Sequence, residues 1–252
     1  MSPAAIHRLD ALRDELLDIY EGRAHGRYGL SQVTQRLHAV QSGAIARVRG
    51  LPAPLVVACL LHDIGHMIHA LGEHPAAAGI DDRHEVIGAD WLAQRFGPAV
   101  AEPVRLHVAA KRYLCATQPG YFDLLTRDSV ESLALQGGPM SAGEVCAFEA
   151  EPYWRDAVAL RRVDEAAKDP EGPMPAFGEF WGDIAALATW ARRAAGWRLQ
   201  GRRSPHPAAL GAIAPCTAVR RSCRCRCPAS SPSRSCPGGP DLHQRQWEAP
   251  GC

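Results

Sequence analysis

Residues 60–69 read LLHDIGHMIH, and this stretch decides the fold. It continues an apolar run typical of a buried helix, yet it presents His62 beside Asp63, with His66 one helical turn further on. A buried imidazole next to a buried carboxylate costs free energy unless both are bound, and a metal ion is the usual partner. The stretch therefore predicts a metal site inside a helical protein.

Most of the chain before residue 200 carries the apolar spacing of amphipathic helices. One predicted helical face consists of Ile6, Leu9, Leu12, Leu16 and Tyr20, and a second of Val33, Leu37, Val40, Ile45 and Val48. Further helices are predicted in VRLHVAAKRYL (104–114), WRDAVALRRVDEAAK (154–168) and FGEFWGDIAALATWARRAAGW (177–197). Neither a hairpin nor a repeat is evident, so we predict an all-α fold.

Several residues predict where these helices begin and end. Pro54 can open a helix that carries LVVACLLHDIGH (55–66), and Gly97 can close a helix through GADWLAQRF. Ser141 and Glu144 have the spacing of a capping box. The dipeptide Asp169–Pro170 should end the helix that begins near Trp154.

Length and composition favour a single cytoplasmic domain. The chain has 252 residues, of which 46% are hydrophobic and 22% charged, enough for one full core. No run approaches the ~18 apolar residues of a membrane span, and no signal peptide is evident. We therefore expect neither secretion nor a membrane partner.

The last 52 residues differ in composition from the rest. Residues 201–252 contain eight Arg against Asp241 and Glu248, and six of the nine Cys. The sequence CRCRC (223–227) has a spacing poorly suited to chelating one zinc ion. We predict a domain over 1–199 and a disordered Arg/Cys/Pro/Ser-rich tail over 200–252, without a function or a nucleic-acid partner.

Six polar residues on predicted helices could serve one site, namely His38, His62, Asp63, His84, His107 and Asp164. Any one histidine alone is more often a hydrogen-bonded structural residue, and His69 and His74 are interpreted in that way. One metal ion needs about four protein ligands, so two of the six histidine and aspartate side chains are surplus unless Asp63 bridges a second ion. Imidazole with carboxylate suits iron, manganese or zinc. The set favours a dinuclear metal site.

The order of His38, the His62–Asp63 pair and Asp164 resembles the H…HD…D pattern of the HD-domain superfamily. Most members of that superfamily hydrolyse phosphoesters. The additional His84 and His107 resemble the subset with paired irons, which includes the mixed-valent diiron oxygenases of phosphonate degradation.

The phosphonate branch is the closer resemblance, from about Tyr28 to Pro170. It rests on four strings: YGLSQVTQRLHAVQ (28–41), AKRYLCA (110–116), SLALQGGPMS (132–141) and RRVDEAAKDP (161–170). The resemblance implies an HD-domain helical bundle around a dinuclear site. It also implies an oxidoreductase that uses O2 to cleave the C–P bond of a 1-hydroxyalkylphosphonate, giving phosphate and a carboxylic acid.

The resemblance implies a ligand set and substrate contacts. His38, His62, Asp63 and Asp164 would bind one iron of a mixed-valent Fe(II)/Fe(III) pair, and His84, His107 and the bridging Asp63 the other. Lys111, Ser129 and Ser132 would bind the phosphonate, and His66 would face the substrate. Taken alone, Lys111 would be better explained as a solvated surface lysine, and the serines as helix caps or solvent contacts; together with the ligand set, phosphonate binding is favoured.

The chain departs from the branch near its entry helix, where the better-known members have Tyr and, three residues later, Glu. Tyr28 could still occupy an open iron position until substrate displaces it, but Ser31 carries no charge for a substrate amine. We therefore expect a 1-hydroxyphosphonate with a side chain that need not be cationic, such as hydroxymethylphosphonate. The 2-amino-1-hydroxyethyl compound remains an alternative if Glu21 or Glu85 replaces the missing acid.

Two other functions remain open from the sequence. One is an HD-type metal-dependent phosphohydrolase acting on nucleotides or phosphoesters, supported by the H…HD…D core. The other is a non-catalytic binding module. This hypothesis is most credible if the unusual tail prevents folding or removes a packing element at the C-terminus. The expected partner in the favoured reading is a small organophosphonate, and the sequence does not indicate an oligomeric state.

Overall fold

The computed structural model describes residues 2–24, 33–69 and 79–188. Within these ranges the chain forms eleven α-helices, one π-helix, two short 3-10 helices and no β-strand. The α-helices are α1 (Pro3–Leu17), α2 (Gln35–Val48), α3 (Ala53–Leu61), α4 (Ile64–Ile68), α5 (His84–Phe96), α6 (Pro98–Arg105), α7 (His107–Thr117), α8 (Arg127–Leu135), α9 (Ala142–Glu149), α10 (Trp154–Ala166) and α11 (Trp181–Leu187). The π-helix is Asp18–Arg23, and the 3-10 helices are Phe122–Leu124 and Phe177–Phe180. The all-α prediction is confirmed.

Helix α3 lies at the centre of the fold. Every residue from Leu55 to Leu61 is buried, and α3 packs against α2, α6, α10 and α11. A helix that is apolar on all sides must be surrounded by other elements. Polar side chains that follow its last residue therefore lie inside the protein.

The prediction that one helix carries the whole of LVVACLLHDIGH was wrong. Helix α3 ends at Leu61 and α4 begins at Ile64, with Asp63 outside helical geometry at φ −97° and ψ 11°. The break redirects the chain so that α4 packs against α5. His62 and Asp63 consequently lie in a buried corner between two helices.

Other helix boundaries agree with the sequence to different extents. Gly97 ends α5 at a φ of 84°, and Ser141 forms a capping box with Glu144, so both of these predictions are confirmed. The predicted helix VRLHVAAKRYL is instead divided at Leu106 into α6 and α7. Helix α10 ends at Ala166 rather than running to Asp169.

The predicted apolar faces are only partly buried. Leu12, Leu16 and Tyr20 are buried, whereas Ile6 is exposed. In α2, Val48 is 89% exposed, and the buried residues include the polar His38, Gln41 and Ser42. Helix α2 thus directs polar side chains towards the interior, where they can contribute to a buried functional site.

Among the helices of the described residues, none is long and apolar enough to cross a membrane. The part of the last predicted helix beyond residue 188 lies outside the described residues, as does the tail. The division into 1–199 and 200–252 therefore stays a prediction.

Candidate metal centre

Four buried histidines are held by hydrogen bonds from their Nδ1 atoms. Three of these bonds go to main-chain carbonyls near helix ends: His38 to Ala167 at 2.8 Å, His62 to Cys59 at 2.8 Å and His107 to Val104 at 2.7 Å. The fourth goes from His84 to Oδ1 of Asp82, at 2.9 Å. Because these carbonyl and carboxylate oxygens only accept, a proton lies on each Nδ1 atom, and in the neutral ring the Nε2 atom carries a lone pair.

The four Nε2 atoms form two close pairs. His38 Nε2 lies 3.2 Å from His62 Nε2, and His84 Nε2 lies 3.2 Å from His107 Nε2. Two lone pairs that face each other repel, so each pair needs a shared proton or a metal ion between its nitrogens. Two nitrogens bound to one metal ion at about 2.1 Å lie about 3 Å apart in adjacent coordination positions. The observed spacing fits metal ligands.

Asp63 lies between the two pairs of imidazoles. Its Oδ2 atom is 3.5 Å from His38 Nε2 and 3.3 Å from His62 Nε2. Its Oδ1 atom is 3.7 Å from His84 Nε2 and 3.8 Å from His107 Nε2. Each oxygen of this carboxylate therefore faces a different pair, which is the geometry of a bridging ligand.

Asp164, from the last turn of α10, completes the first group. Its Oδ1 atom lies 3.3 Å from His38 Nε2 and 3.9 Å from His62 Nε2. The two candidate groups are then His38, His62 and Asp164, and Asp63, His84 and His107. The structure brings all six predicted ligands into one buried cluster.

The donor set fits metal ions. Asp63 Oδ2 and Asp164 Oδ1 are buried and have no hydrogen-bond donor. A buried, unpaired carboxylate oxygen is costly, and a metal ion removes that cost. Imidazole nitrogen with carboxylate oxygen suits iron, manganese or zinc, so the residues present fit two such ions.

Charge keeps both carboxylates ionised. Burial alone would raise the pKa of Asp63, but the protonated forms of the neighbouring His62, His66 and His84 hold it well below its usual value. Burial would likewise raise the pKa of Asp164, whereas the Arg161 guanidinium and the Lys168 ammonium hold it well below its usual value. Both aspartates are therefore available as anionic ligands.

His66, on α4, lies beside the two groups and is not part of either pair. Its Nε2 atom is 4.0 Å from Asp63 Oδ1, its ring stacks on His84 at 3.8 Å, and its side chain is 25% exposed. Its Nδ1 atom lies 2.7 Å from Oδ2 of Asp82. Asp82 was not predicted from the sequence; its position two residues before a candidate ligand was the available signal.

A second polar cluster contains the residues predicted to bind phosphonate. Lys111 donates to Ser132 Oγ at 2.8 Å, and Ser132 Oγ donates to the Ser129 carbonyl at 3.2 Å. Arg161 and Lys168 donate to Ser129 Oγ at 3.4 Å and 3.3 Å. The structure therefore brings Lys111, Ser129 and Ser132 together and surrounds them with two further cations.

Lys111 is a buried lysine, contrary to the surface alternative. It is 3% exposed. Burial, followed by the positive charge of Arg161, lowers the pKa of Lys111 to about 7. An ammonium held at this cost favours an anion as its missing partner.

Arg161 and Lys168 were missed by the sequence analysis. Arg161 forms a buried ion pair with Asp164, and the Lys168 ammonium lies 3.6 Å from the same carboxylate. The spacings i, i+3 and i, i+4 on one helix face could have predicted both contacts. These cations connect the cluster of Lys111, Ser129 and Ser132 to the candidate metal ligand Asp164.

Three predicted positions cannot be compared with the structure. Tyr28, Ser31 and His74 lie outside the described residues. Of the two acids considered as replacements for the missing glutamate, Glu21 pairs with Arg36 at 2.9 Å. Glu85 has one buried oxygen, Oε2, with no hydrogen-bond donor.

Comparison with known proteins gives one family and several relatives. The HD domain matches residues 22–150, about half of the chain. The chain is 42% identical over 162 residues to the 1-hydroxy-2-(trimethylamino)ethylphosphonate dioxygenase (glycine-betaine-forming) of Leisingera caerulea, covering 64% of this chain and 83% of the relative. It is 42% identical over 155 residues to the hydroxymethylphosphonate dioxygenase of Gimesia maris, covering 60% and 76%. An uncharacterized protein of Acanthamoeba polyphaga mimivirus is 31% identical over 156 residues, covering 61% and 71%.

Proposed function

The chain belongs to the HD-domain family and, within it, to the phosphonate oxygenases, and on that premise we propose that it cleaves the C–P bond of a 1-hydroxyalkylphosphonate with O2. The products are inorganic phosphate and a carboxylic acid. Both oxygen atoms of O2 enter the products, so the reaction balances without an external reductant. The observation that carries the proposal is the position of Asp63, whose two oxygens face two different pairs of imidazoles.

We propose two iron ions in a mixed-valent Fe(II)/Fe(III) state as the cofactor. His38, His62, Asp63 and Asp164 would hold one ion, and Asp63, His84 and His107 the other. Such ions supply Lewis acidity towards substrate oxygens and the redox chemistry that O2 requires. Support for iron comes from the imidazole and carboxylate donors together with the dioxygenase names of the two relatives.

The phosphonate group of the substrate is proposed to bind at Lys111, Ser129 and Ser132. Lys111 and Ser132 already share a hydrogen bond, and Arg161 directs a guanidinium nitrogen to Ser129. Cations combined with hydroxyl donors suit the three oxygens of a phosphonate. The metal ligand His107 and Lys111 lie one turn apart on α7, so one helix face can hold the metal and the anion at a set separation.

His66, at the partly exposed edge of the cluster, is proposed to face the reacting end of the substrate. Its 25% exposure, beside buried ligands, supports contact with an incoming molecule. Tyr28 is proposed as the side chain that occupies an open iron position before substrate binds. Ser31 is proposed to lie at the substrate's side chain, where it would tolerate a group without positive charge.

Hydroxymethylphosphonate is the proposed substrate. Ser31 provides no anion for an amine, and Glu21 is already paired with Arg36. A cationic side chain would depend on Glu85, whose buried Oε2 atom has no hydrogen-bond donor and lies 3.8 Å from His84 Nδ1. The two named relatives act on a compound with a cationic trimethylamino group and on hydroxymethylphosphonate, so the family accommodates both kinds.

Iron-loaded protein should consume one O2 for each phosphate released from hydroxymethylphosphonate. The same protein should release no phosphate under argon. A phosphohydrolase would release phosphate from phosphoesters without O2, and that result would overturn the proposal. Partial reduction should give a mixed-valent signal in electron paramagnetic resonance.

A comparison of turnover between two substrates tests the choice of hydroxymethylphosphonate. Turnover of hydroxymethylphosphonate should exceed turnover of the 2-amino-1-hydroxyethyl compound. A strong preference for the aminated compound would overturn the argument from Ser31 while leaving C–P cleavage intact.

A further inference from the structure

Asp82 is a buried carboxylate that three imidazoles approach. Its Oδ1 atom lies 2.9 Å from His84 Nδ1, and its Oδ2 atom lies 2.7 Å from His66 Nδ1 and 3.2 Å from His69 Nε2. The residue is 8% exposed. One acidic side chain thus contacts both a candidate metal ligand and the histidine next to it.

The backbone around Asp82 is strained in a way that serves these contacts. Arg83 has a φ of 50° and a ψ of 36°, and it is the one non-glycine residue with a positive φ in the described part of the chain. This conformation costs an arginine about 1 kcal/mol. It folds the chain back so that Asp82 Oδ1 receives both the main-chain N–H of His84, at 3.3 Å, and its ring N–H. Strain of this kind persists where the surrounding structure requires it.

The position of the protons follows from the acceptor. An ionised carboxylate only accepts, so His84 and His66 must each donate from Nδ1. The Nε2 atoms of both rings are then left with lone pairs. His84 Nε2 faces His107, and His66 Nε2 faces the Asp63 side of the cluster.

We propose that Asp82 is a positioning residue that holds the second-metal ligand His84 and the stacked ring of His66 in the Nδ1–H tautomer, and so couples occupancy of that metal site to the orientation of His66. The inference rests on the dinuclear site of the proposed function, but it does not depend on the substrate. A carboxylate behind a metal-bound histidine is a general way to orient the ring and raise its basicity. Here the same carboxylate also orients a neighbour that is not a ligand in the proposed set.

The alternative interpretation of this cluster is a third metal ion, which His66, Asp82 and His84 would hold. The separations of 2.7 Å and 2.9 Å are those of hydrogen bonds. Moreover, His84 directs its other nitrogen to His107. The geometry therefore favours a supporting carboxylate over a third ion, and a metal titration separates the two.

Cobalt(II) titration of the metal-free protein tests the role of Asp82 without any turnover. The full chain should bind two Co(II) ions, followed through the visible absorption of the cobalt sites. In Asp82→Asn the first ion should bind as in the unmodified chain, and the second about 10- to 100-fold more weakly. An amide accepts with its oxygen only, so His84 and His66 cannot both donate from Nδ1, and one ring must lose its hydrogen bond or change tautomer. The matched control is Asp81→Asn, since Asp81 is an exposed neighbour that contacts the main chain of Arg83.

The outcomes are distinct. Two sites of unchanged affinity in Asp82→Asn would overturn the role of Asp82 alone. Three ions in the unmodified chain would favour the third-metal reading and overturn it as well. A single ion in the unmodified chain would overturn the dinuclear site of the proposed function, and this inference with it.

A measurement on the unmodified chain serves if Asp82→Asn does not fold, which circular dichroism would detect. In zinc-loaded, diamagnetic protein, long-range proton–nitrogen NMR spectra report the tautomer of each histidine. His66 should be the Nδ1–H tautomer, as donation to Asp82 requires. An Nε2–H tautomer for His66 would overturn the proposal.

Discussion

Gly65 lies so close to the main chain of His84 that a Cβ atom on Gly65 would be 2.0 Å from the His84 carbonyl oxygen. The contact joins the start of α4, which follows the His62–Asp63 pair, to the start of α5, which carries a candidate ligand of the second metal. Because the obstacle is backbone, no rotamer change can relieve it. The approach of these two helices sets the separation between the two halves of the candidate centre.

Gly65→Ala should destabilise the fold and disturb the second metal site. We expect a loss of about 3 kcal/mol in the free energy of unfolding, because the added methyl group forces the backbone apart. Urea denaturation of the metal-free protein measures this loss. Gly143→Ala is the matched control, since its Cβ would meet nothing within 4 Å and lies in helix α9. The control should be neutral or slightly more stable, and equal behaviour of the two variants would contradict the argument.

His84→Ala should remove one of two metal ions and most of the oxygenase activity. The remaining pair, His38 and His62 with Asp164, should retain the first ion. We expect activity to fall by more than about 100-fold, since loss of a ligand exceeds the usual effect of losing a supporting residue. Metal content per chain and O2 consumption measure the two effects. His7→Ala, at an exposed position of α1, is the control, and undiminished activity in His84→Ala would show that the second metal is unnecessary.

Lys111 should make catalytic efficiency depend on pH. Its ammonium form is present below pH 7 and is lost as the pH rises through its pKa of about 7. Because only the charged form attracts a phosphonate, kcat/KM should fall above pH 7, by up to about tenfold per pH unit. Lys111→Arg keeps its charge throughout this range and should not show the same fall. Ionisation of the substrate affects both proteins equally, so parallel profiles would count against Lys111 as the group that titrates.

Arg161→Met should destabilise the metal-free protein more than loss of a surface arginine does. The variant leaves the buried Asp164 carboxylate without its guanidinium partner, which should cost about 3 kcal/mol. Metal-free protein is the better sample, because a bound ion would itself compensate that carboxylate. Arg127→Met removes an ion pair with Glu131 whose arginine is 82% exposed, and should cost less than about 0.5 kcal/mol. Similar unfolding midpoints for the two variants would argue against a buried, uncompensated charge at Asp164.

Much of the fold could be predicted from the sequence. Apolar residues at helical spacing indicate the face of a helix that packs against the core. The capping box at Ser141 and the end of α5 at Gly97 were predicted correctly for local reasons: a side chain reaches its own backbone, and a glycine tolerates a positive φ. The breaks at His62–Asp63 and at Leu106 were missed. In both places the apolar spacing of a helix continues across the break, so the pattern alone did not indicate it.

The candidate site, like the fold, was predicted in part from the sequence and missed in part. Spacing and residue type indicated the six candidate ligands and Lys111, because imidazoles and a lysine are out of place on apolar faces. Asp82 was missed because its one signal in the sequence, a position two residues before His84, is shared by acidic residues of solvated loops. Its importance depends on the rings of His66 and His84, which α4 and α5 bring to it.

The amino-acid sequence alone determined that this chain is helical and that imidazoles and carboxylates interrupt its apolar helix faces. It also determined that the order of these polar residues resembles that of the HD-domain oxygenases. These properties depend on residue type and short-range periodicity. Only the tertiary structure decided that the two oxygens of Asp63 face separate imidazole pairs, that Lys111 is buried among cations, and that Asp82 supports His84 and His66. Each of these is a distance between groups far apart in sequence, and such distances are set by how buried helices pack.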